Sequence, residues 1–168
     1  GGDVYRCVNG SKKIDCLASL STIAGNTSVS AHSLIKDKWV IFTSNEGVYE
    51  FDFQTIQITP YRKLKINNGK VIHDNYGDCW AYNNTGRIYY INVKSGEIKD
   101  FQLIPEEKMK YIDYERYHVV RDDRGIVWIS TYGNGLFTYD IQEDRLEHFV
   151  SEGKNAVPIG SDFLLCLM

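Results

Sequence analysis

Apolar and polar positions alternate in short runs along most of this chain, and clusters rich in Gly, Asn, Asp and Lys separate the runs. A period of two buries one face of an extended segment and wets the other, so the pattern predicts β-strands joined by tight turns. It is clearest in RDDRGIVWISTYGNGLFTYDIQEDRLEHF, residues 121–149. Residues 122–125 form a polar turn, and residues 126–131 a β-branched and aromatic strand. Residues 132–135, whose glycines can take positive φ, form the next turn. Residues 136–141 and 146–150 are two further strands, joined by a turn at 142–145.

The unit recurs. One shift carries Trp128 onto Trp80, Gly125 onto Gly77, Asp122 onto Asp74, Leu136 onto Ile88 and Phe137 onto Tyr89. A second carries Trp80 onto Val40, Ile88 onto Val48 and Tyr89 onto Tyr49. The first and third copies also share Thr43 with Thr131, Gly47 with Gly135 and Asp52 with Asp140. A period of about 40–45 residues, with four short strands per copy, is what a β-propeller blade requires.

The predicted fold class is therefore all-β: a partial β-propeller made of four-stranded antiparallel blades, a truncated fragment of a larger propeller. Residues 1–27 read as a partial blade of outer strands and a connector, with a loop at 21–26. Blades follow at 28–66, 67–104 and 105–150, and 151–168 ends in the lead-in strand of a further blade, over 162–168. The third blade is preceded by an inserted loop between Phe101 and Val119, with a short helical turn expected at 106–111. The sequence stops where the next Asp-x-x-Gly-x-x-Trp hairpin should begin, hence the expectation of truncation. An open arc of blades leaves unpaired edges, so self-association or a dimer is also expected.

DDRGIVWISTYGNGLFTYD resembles the two-component regulator propeller repeat, whose pattern is an Asp, a Gly, an aliphatic-Trp-Ile group, a Thr, then Gly-Leu and Tyr-Asp. The second copy, HDNYGDCWAYNNTGRIYYIN, keeps Asp74, Gly77 and Trp80 but has Asn83 for the Thr and Arg87 for the Gly. The first, LIKDKWVIFTSNEGVYEFD, keeps Thr43, Gly47, Val48 and Asp52 but lacks the Asp-x-x-Gly turn. The resemblance implies the periplasmic sensor region of a hybrid two-component histidine kinase of polysaccharide-degrading gut bacteria. It also implies an oligosaccharide as the ligand class and a kinase elsewhere in the parent chain. These motifs are structural and speak to fold and family more than to a binding site.

Composition narrows the field further. The 168 residues suffice for a real core, and 43% hydrophobic with 13% aromatic residues is not a disordered composition. The net charge is −3 and no basic stripe occurs, which argues against nucleic acid and anionic membrane surfaces as partners. No apolar run approaches the roughly 18–20 residues of a membrane span, so no membrane insertion is expected in this segment. Cys7, Cys16, Cys79 and Cys166 are too scattered for a zinc site. Cys7 and Cys16 could bridge across a hairpin; the favoured reading is four free, largely buried thiols.

No catalytic set, metal or cofactor emerges from the spacing. His32, His73, His118 and His148 are dispersed, and His73 sits at the edge of a repeat turn. Asp122-Asp123 and Glu106-Glu107 are neighbours that point apart, which makes poor acid–base pairs. Trp80 and Trp128 read as packing between blades rather than as sugar platforms.

The binding expectation rests on topology. The loop from second to third strand and the loop from outermost to next innermost strand open on one face of a propeller. That places Asn45, Asn83, Asn84, Tyr114, Arg116, Tyr117, Tyr132 and Asn134 there as candidate ligand contacts. The expected function is a non-catalytic ligand-sensing or scaffold segment. The alternatives are structural or dimerisation blades packed on neighbouring blades without ligand contact, and an enzyme such as a propeller lyase or quinoprotein dehydrogenase.

Overall fold

The computed structural model describes residues 2–7, 9–25, 27–44, 47–111, 113–153 and 158–167, the side chains at 110, 111 and 113–116 excepted. The fold is all-β. A two-stranded sheet pairs β1 (Asp3–Cys7) with β2 (Ile14–Ser19). Three four-stranded antiparallel meanders follow. The first holds β3 (Val29–Ile35), β4 (Lys38–Thr43), β5 (Val48–Asp52) and β6 (Gln57–Pro60). The second holds β7 (Lys70–His73), β8 (Cys79–Tyr82), β9 (Arg87–Ile91) and β10 (Ile98–Gln102). The third holds β11 (Asp113–Arg121), β12 (Ile126–Tyr132), β13 (Leu136–Asp140) and β14 (Arg145–Phe149). Each is a propeller-type blade, with sequential neighbours paired throughout.

The chain divides into two compact units, Gly1–Val71 with Asn92–Ile98 and Ile72–Ile91 with Lys99–Met168. Inside each, alternation along the strands aims apolar side chains at a facing sheet. In the first unit, Val4 and Leu20 meet Ile41, Phe51 and Ile58, so β1–β2 closes one face of the β3–β6 sheet. In the second, Trp80, Tyr82, Ile88 and Tyr90 of β8 and β9 meet Val127, Ile129, Phe137 and Tyr139 of β12 and β13. Trp80 is fully buried there, 4.9 Å from the Tyr90 ring and edge-on to Tyr139 at 6.4 Å.

Three expectations need correction or refinement. Residues 21–26 are not all loop: α1 (Ser21–Ala24) is a single helical turn, with Ala24 N–H bonded to Leu20 C=O at 2.9 Å. The lead-in strand expected at 162–168 is not formed among the described residues. The described residues there form a bridge between Phe163 and Tyr132, and Leu164 N–H donates to Thr131 C=O at the end of β12 at 3.0 Å. The thiols are all free, but only Cys79 is buried; Cys7, Cys16 and Cys166 are exposed. Cys7 pairs with Ile14 and Cys16 with Tyr5, which sets the two cysteines diagonally. Diagonal neighbours lie roughly 7–8 Å apart, their Cβ atoms somewhat closer but beyond the roughly 3.5–4.5 Å of a disulfide. The helical turn at the insertion is present, as a 3₁₀ turn over Glu106–Tyr111.

Glycine is required for two different reasons. Gly125 takes φ 86° in an open turn, where an added Cβ would meet nothing within 4 Å. Gly86 takes φ 76°, and an added Cβ would lie 2.1 Å from the Ile104 carbonyl oxygen. Gly125→Ala should therefore lose about 1–2 kcal/mol from left-handed strain alone. Gly86→Ala should lose clearly more, because backbone must also move. Urea denaturation of the two variants checks the order; equal losses would show that the close approach at Gly86 is not tight in solution.

Candidate functional site

The most regular chemistry in the molecule is a carboxylate that closes a turn. After β7, Asp74 Oδ1 accepts the backbone N–H groups of Tyr76 and Asp78, each at 3.0 Å, and Asp74 Oδ2 accepts Trp80 Nε1–H at 3.2 Å. After β11, Asp122 Oδ1 accepts Arg124 N–H and Ile126 N–H, each at 3.0 Å, and Oδ2 accepts Trp128 Nε1–H at 3.2 Å. Gly77 and Gly125 complete the two turns at φ 85° and 86°. The Asp-x-x-Gly-x-x-Trp spacing is thus one hydrogen-bonded device made twice.

The other shared positions are also turn chemistry. Thr43 Oγ1–H and Thr131 Oγ1–H donate to Gly47 C=O at 3.0 Å and Gly135 C=O at 2.8 Å. Asp52 Oδ1 accepts Gln54 and Thr55 N–H, and Asp140 Oδ1 accepts Gln142 and Glu143 N–H. Short polar side chains that bond backbone two or three residues on fix such turns.

Electrostatics follow the same geometry. Asp122 is held well below the usual carboxylate range, at about 2, first by the Arg124 guanidinium and then by the turn amides and the Trp128 indole. Asp144 is also lowered, by the Tyr139 hydroxyl at 2.7 Å and the Lys99 ammonium at 3.0 Å, while that pair raises Lys99. Burial pushes the Tyr117 phenol up. Among the described residues, no three His, Cys, Asp or Glu side chains are grouped to hold a metal ion. Asp123 accepts the Tyr76 hydroxyl at 3.2 Å, a partner that Asp122 does not share.

The loops expected to share one face are tied together. Leu103 N–H and Ile104 N–H both donate to Gly86 C=O, so the loop after β10 is laced to the β8–β9 turn. Gly133 N–H and Gly135 N–H both donate to Asp162 C=O at 3.0 Å, lacing the segment after β14 to the β12–β13 turn. In the first blade, Asn68 N–H donates to Thr43 C=O at 2.9 Å.

The candidate contacts fare differently on this platform. Asn84 is exposed and Tyr132 is half-buried, its ring edge-on to Phe163 at 5.2 Å. Asn83 is 8% exposed and accepts Thr85 N–H and Oγ1–H, so it makes its own turn. Asn134 is 6% exposed and donates to Leu103 C=O at 3.5 Å. Tyr117 is 6% exposed and stacks edge-on against Tyr82 inside the core at 4.9 Å. Asn45 and the side chains of Tyr114 and Arg116 lie outside the described residues. Asn84 thus remains exposed and Tyr132 keeps part of its surface in solvent, while Asn83, Asn134 and Tyr117 are spent on structure.

Sequence reasoning missed a clamp between consecutive turns of the second unit. Asn75 and Arg121 exchange bonds, Nδ2–H to Arg121 C=O at 2.8 Å and Arg121 N–H to Oδ1 at 2.7 Å. The Arg121 guanidinium lies 4.9 Å from the Tyr76 ring centroid and 3.4 Å from Asp78 Oδ2, which also accepts the Tyr90 hydroxyl. The hint was the alignment of His73 with Arg121, but no repeat shows which turn an Arg will lean on.

Comparison with known proteins gives fold-scale similarities. No family model and no curated protein matches the sequence. Among solved structures, the chain is similar to the extracellular domain of a protein described as a hybrid two component system of B. thetaiotaomicron. The identity is 16%, the TM-score 0.49, and 96% of this chain and 22% of that one are covered. It is also similar to the extracellular domain of a protein described as a one component system of the same organism, at 16% identity, TM-score 0.42, and 71% and 15% coverage. A luciferin-regenerating enzyme is similar at 11% identity, TM-score 0.45, and 82% and 51% coverage. The chain spans less than a quarter of the length of the two regulators.

The depressed carboxyl of Asp122 gives a pH signature. Its folded value lies below the unfolded value of roughly 3.9, so its contribution is present above that pH and is lost as pH falls towards about 2. Asp122→Asn should flatten the fall in stability between roughly pH 4 and 2. Acid titration followed by near-ultraviolet circular dichroism, which reports the buried aromatics, checks this; an unchanged acid limb would remove Asp122 from the list of carboxyls that matter.

Proposed function

We propose that this chain is a non-catalytic, ligand-sensing segment in the extracytoplasmic, periplasmic part of a two-component sensor, and that its ligand is an oligosaccharide. The observation that carries the reading is the laced platform of the second unit, where paired loops leave Asn84 exposed and Tyr132 half-exposed. An exposed amide and a phenol ring on a fixed backbone offer a sugar both hydrogen bonds and an apolar contact. The repeat resemblance supplies the ligand class and the kinase elsewhere in the parent protein. Signalling would follow from a shift in the population of protomer arrangements on binding.

The burial of Asn83, Asn134 and Tyr117 favours a second reading, in which these blades are scaffold for neighbouring blades or a second copy and the ligand binds elsewhere.

Isothermal calorimetry against a panel of plant and host glycans separates the two. The sensing reading expects heat with at least one glycan, and about a tenfold or greater loss of affinity in the Asn84→Ala, Tyr132→Ala double variant. No heat with any glycan from folded protein would favour the scaffold, and full retention of binding by the double variant would move the site off this face.

A further inference from the structure

The first blade departs from the second at one pair of ladder positions, and a cleft lies beside that pair. In the second blade, Trp80 pairs across β8–β9 with Tyr90, and the two rings fill the face. In the first, the same ladder positions hold Val40 and Glu50. The Asp-x-x-Gly turn is also missing, replaced by a tight turn in which Lys36 takes φ 54°. Where two aromatic rings stand in one blade, the other has a small apolar side chain and a charged one. A cleft of about 460 Å³ lies there, with Ile35 and Val40 among its walls. That volume is within the roughly 300–1,000 Å³ of small-molecule sites.

Its charges are arranged unevenly. Lys38 bridges Glu50 at 3.2 Å and Asp52 at 3.3 Å, which compensates part of those two carboxylates. Lys36 and Lys63 also line the cleft, and neither has an ion-pair partner among the described residues. A second cleft shares Lys36 and Asp37 with the first and adds Lys94. The two are joined where Lys36 N–H donates to Val93 C=O at 2.7 Å and the Lys36 stem crosses the face of Gly96. Four lysines (36, 38, 63, 94) against three acids (37, 50, 52) leave one net positive charge in a chain of net charge −3. The side chains of Asp37 and Gln54 line the first cleft with no hydrogen-bond partner among the described residues.

We infer that this cleft is a binding site for a small hydroxylated ligand that carries a carboxylate or sulfate, such as an acidic sugar. Lys36 and Lys63 meet the anionic group, Asp37 and Gln54 take the hydroxyls, and Val40 and Ile35 form the dry wall. Lys36 and Lys63 have no ion-pair partner among the described residues, so an anion meets donors without first breaking an ion pair, and Lys38 offsets the charge of Glu50 and Asp52. The site lies at the β3–β4 and β5–β6 turns of the first unit and shares no residue with the platform bearing Asn84 and Tyr132.

The test is calorimetry with a glucuronate-containing disaccharide, its sulfated counterpart, a neutral disaccharide of the same size, and inorganic sulfate. The charged disaccharides should bind at least tenfold more tightly than the neutral one, and binding should weaken with added salt. Lys36→Glu with Lys63→Glu, both exposed, should abolish it, as should Val40→Trp, which fills the cleft. Lys108→Glu, exposed and absent from the cleft's lining, should leave it unchanged; an equal loss in that variant would make the effect one of overall charge and overturn this site. Retention in Lys36→Glu/Lys63→Glu, or no binding of either charged disaccharide, would also overturn it. Sulfate alone binding as tightly as the sulfated sugar would reduce the cleft to a plain anion site and overturn the sugar assignment.

Discussion

One carboxylate holding two backbone amides and an indole N–H is the constraint on which the second unit depends. Asp74 and Asp122 each fix the turn into a second strand and, through the same group, the orientation of the Trp on that strand. A Trp in a sheet face must bury a large ring and satisfy its N–H at once. The Asp resolves both demands, and the Trp80 ring then packs tilted on Tyr90 and edge-on to Tyr139. Trp80 is fully enclosed by Tyr90 and Tyr139, whereas Trp128, with the same bond, is only partly buried. The lock is therefore local to a blade, and the enclosure comes from whichever sheet faces it.

The first blade lacks the lock, and its interior changes accordingly. Without the Asp and Trp, the ladder pair becomes Val40 and Glu50, the turn tightens, and polar groups occupy the space aromatic rings fill in the second blade. Aromatic filling and a polar cleft are alternative uses of one position. The sequence difference between blades, small when read as a broken motif, is large in volume and in charge.

The loop platform illustrates a division of labour among similar residues. Asn83 and Asn134 are amides at tips of turns, the composition of binding loops, yet both are buried: Asn83 is bonded within its own turn, and Asn134 reaches across to Leu103 C=O of the loop after β10. An amide that completes a turn loses its free donors and acceptors to the backbone. Asn84, one position from Asn83, faces solvent. Tyr117 is drawn into the core by Tyr82, where burial of the ring outweighs exposure of its hydroxyl.

The sequence by itself determined the strands, their order within each blade and the turns. All of these are written in local signals: a period of two, glycines where φ is positive, and Asp or Thr where backbone amides and carbonyls need a partner. It also allowed for the helical turn that the insertion carries at residues 106–111. Burial of the candidate contacts, the Asn75–Arg121 clamp and the lysine-lined cleft were decided only by tertiary structure. Each depends on what stands across from a residue in space, and residues such as Lys36 and Lys63, or Asn75 and Arg121, are brought together by sheet packing that no spacing along the chain records.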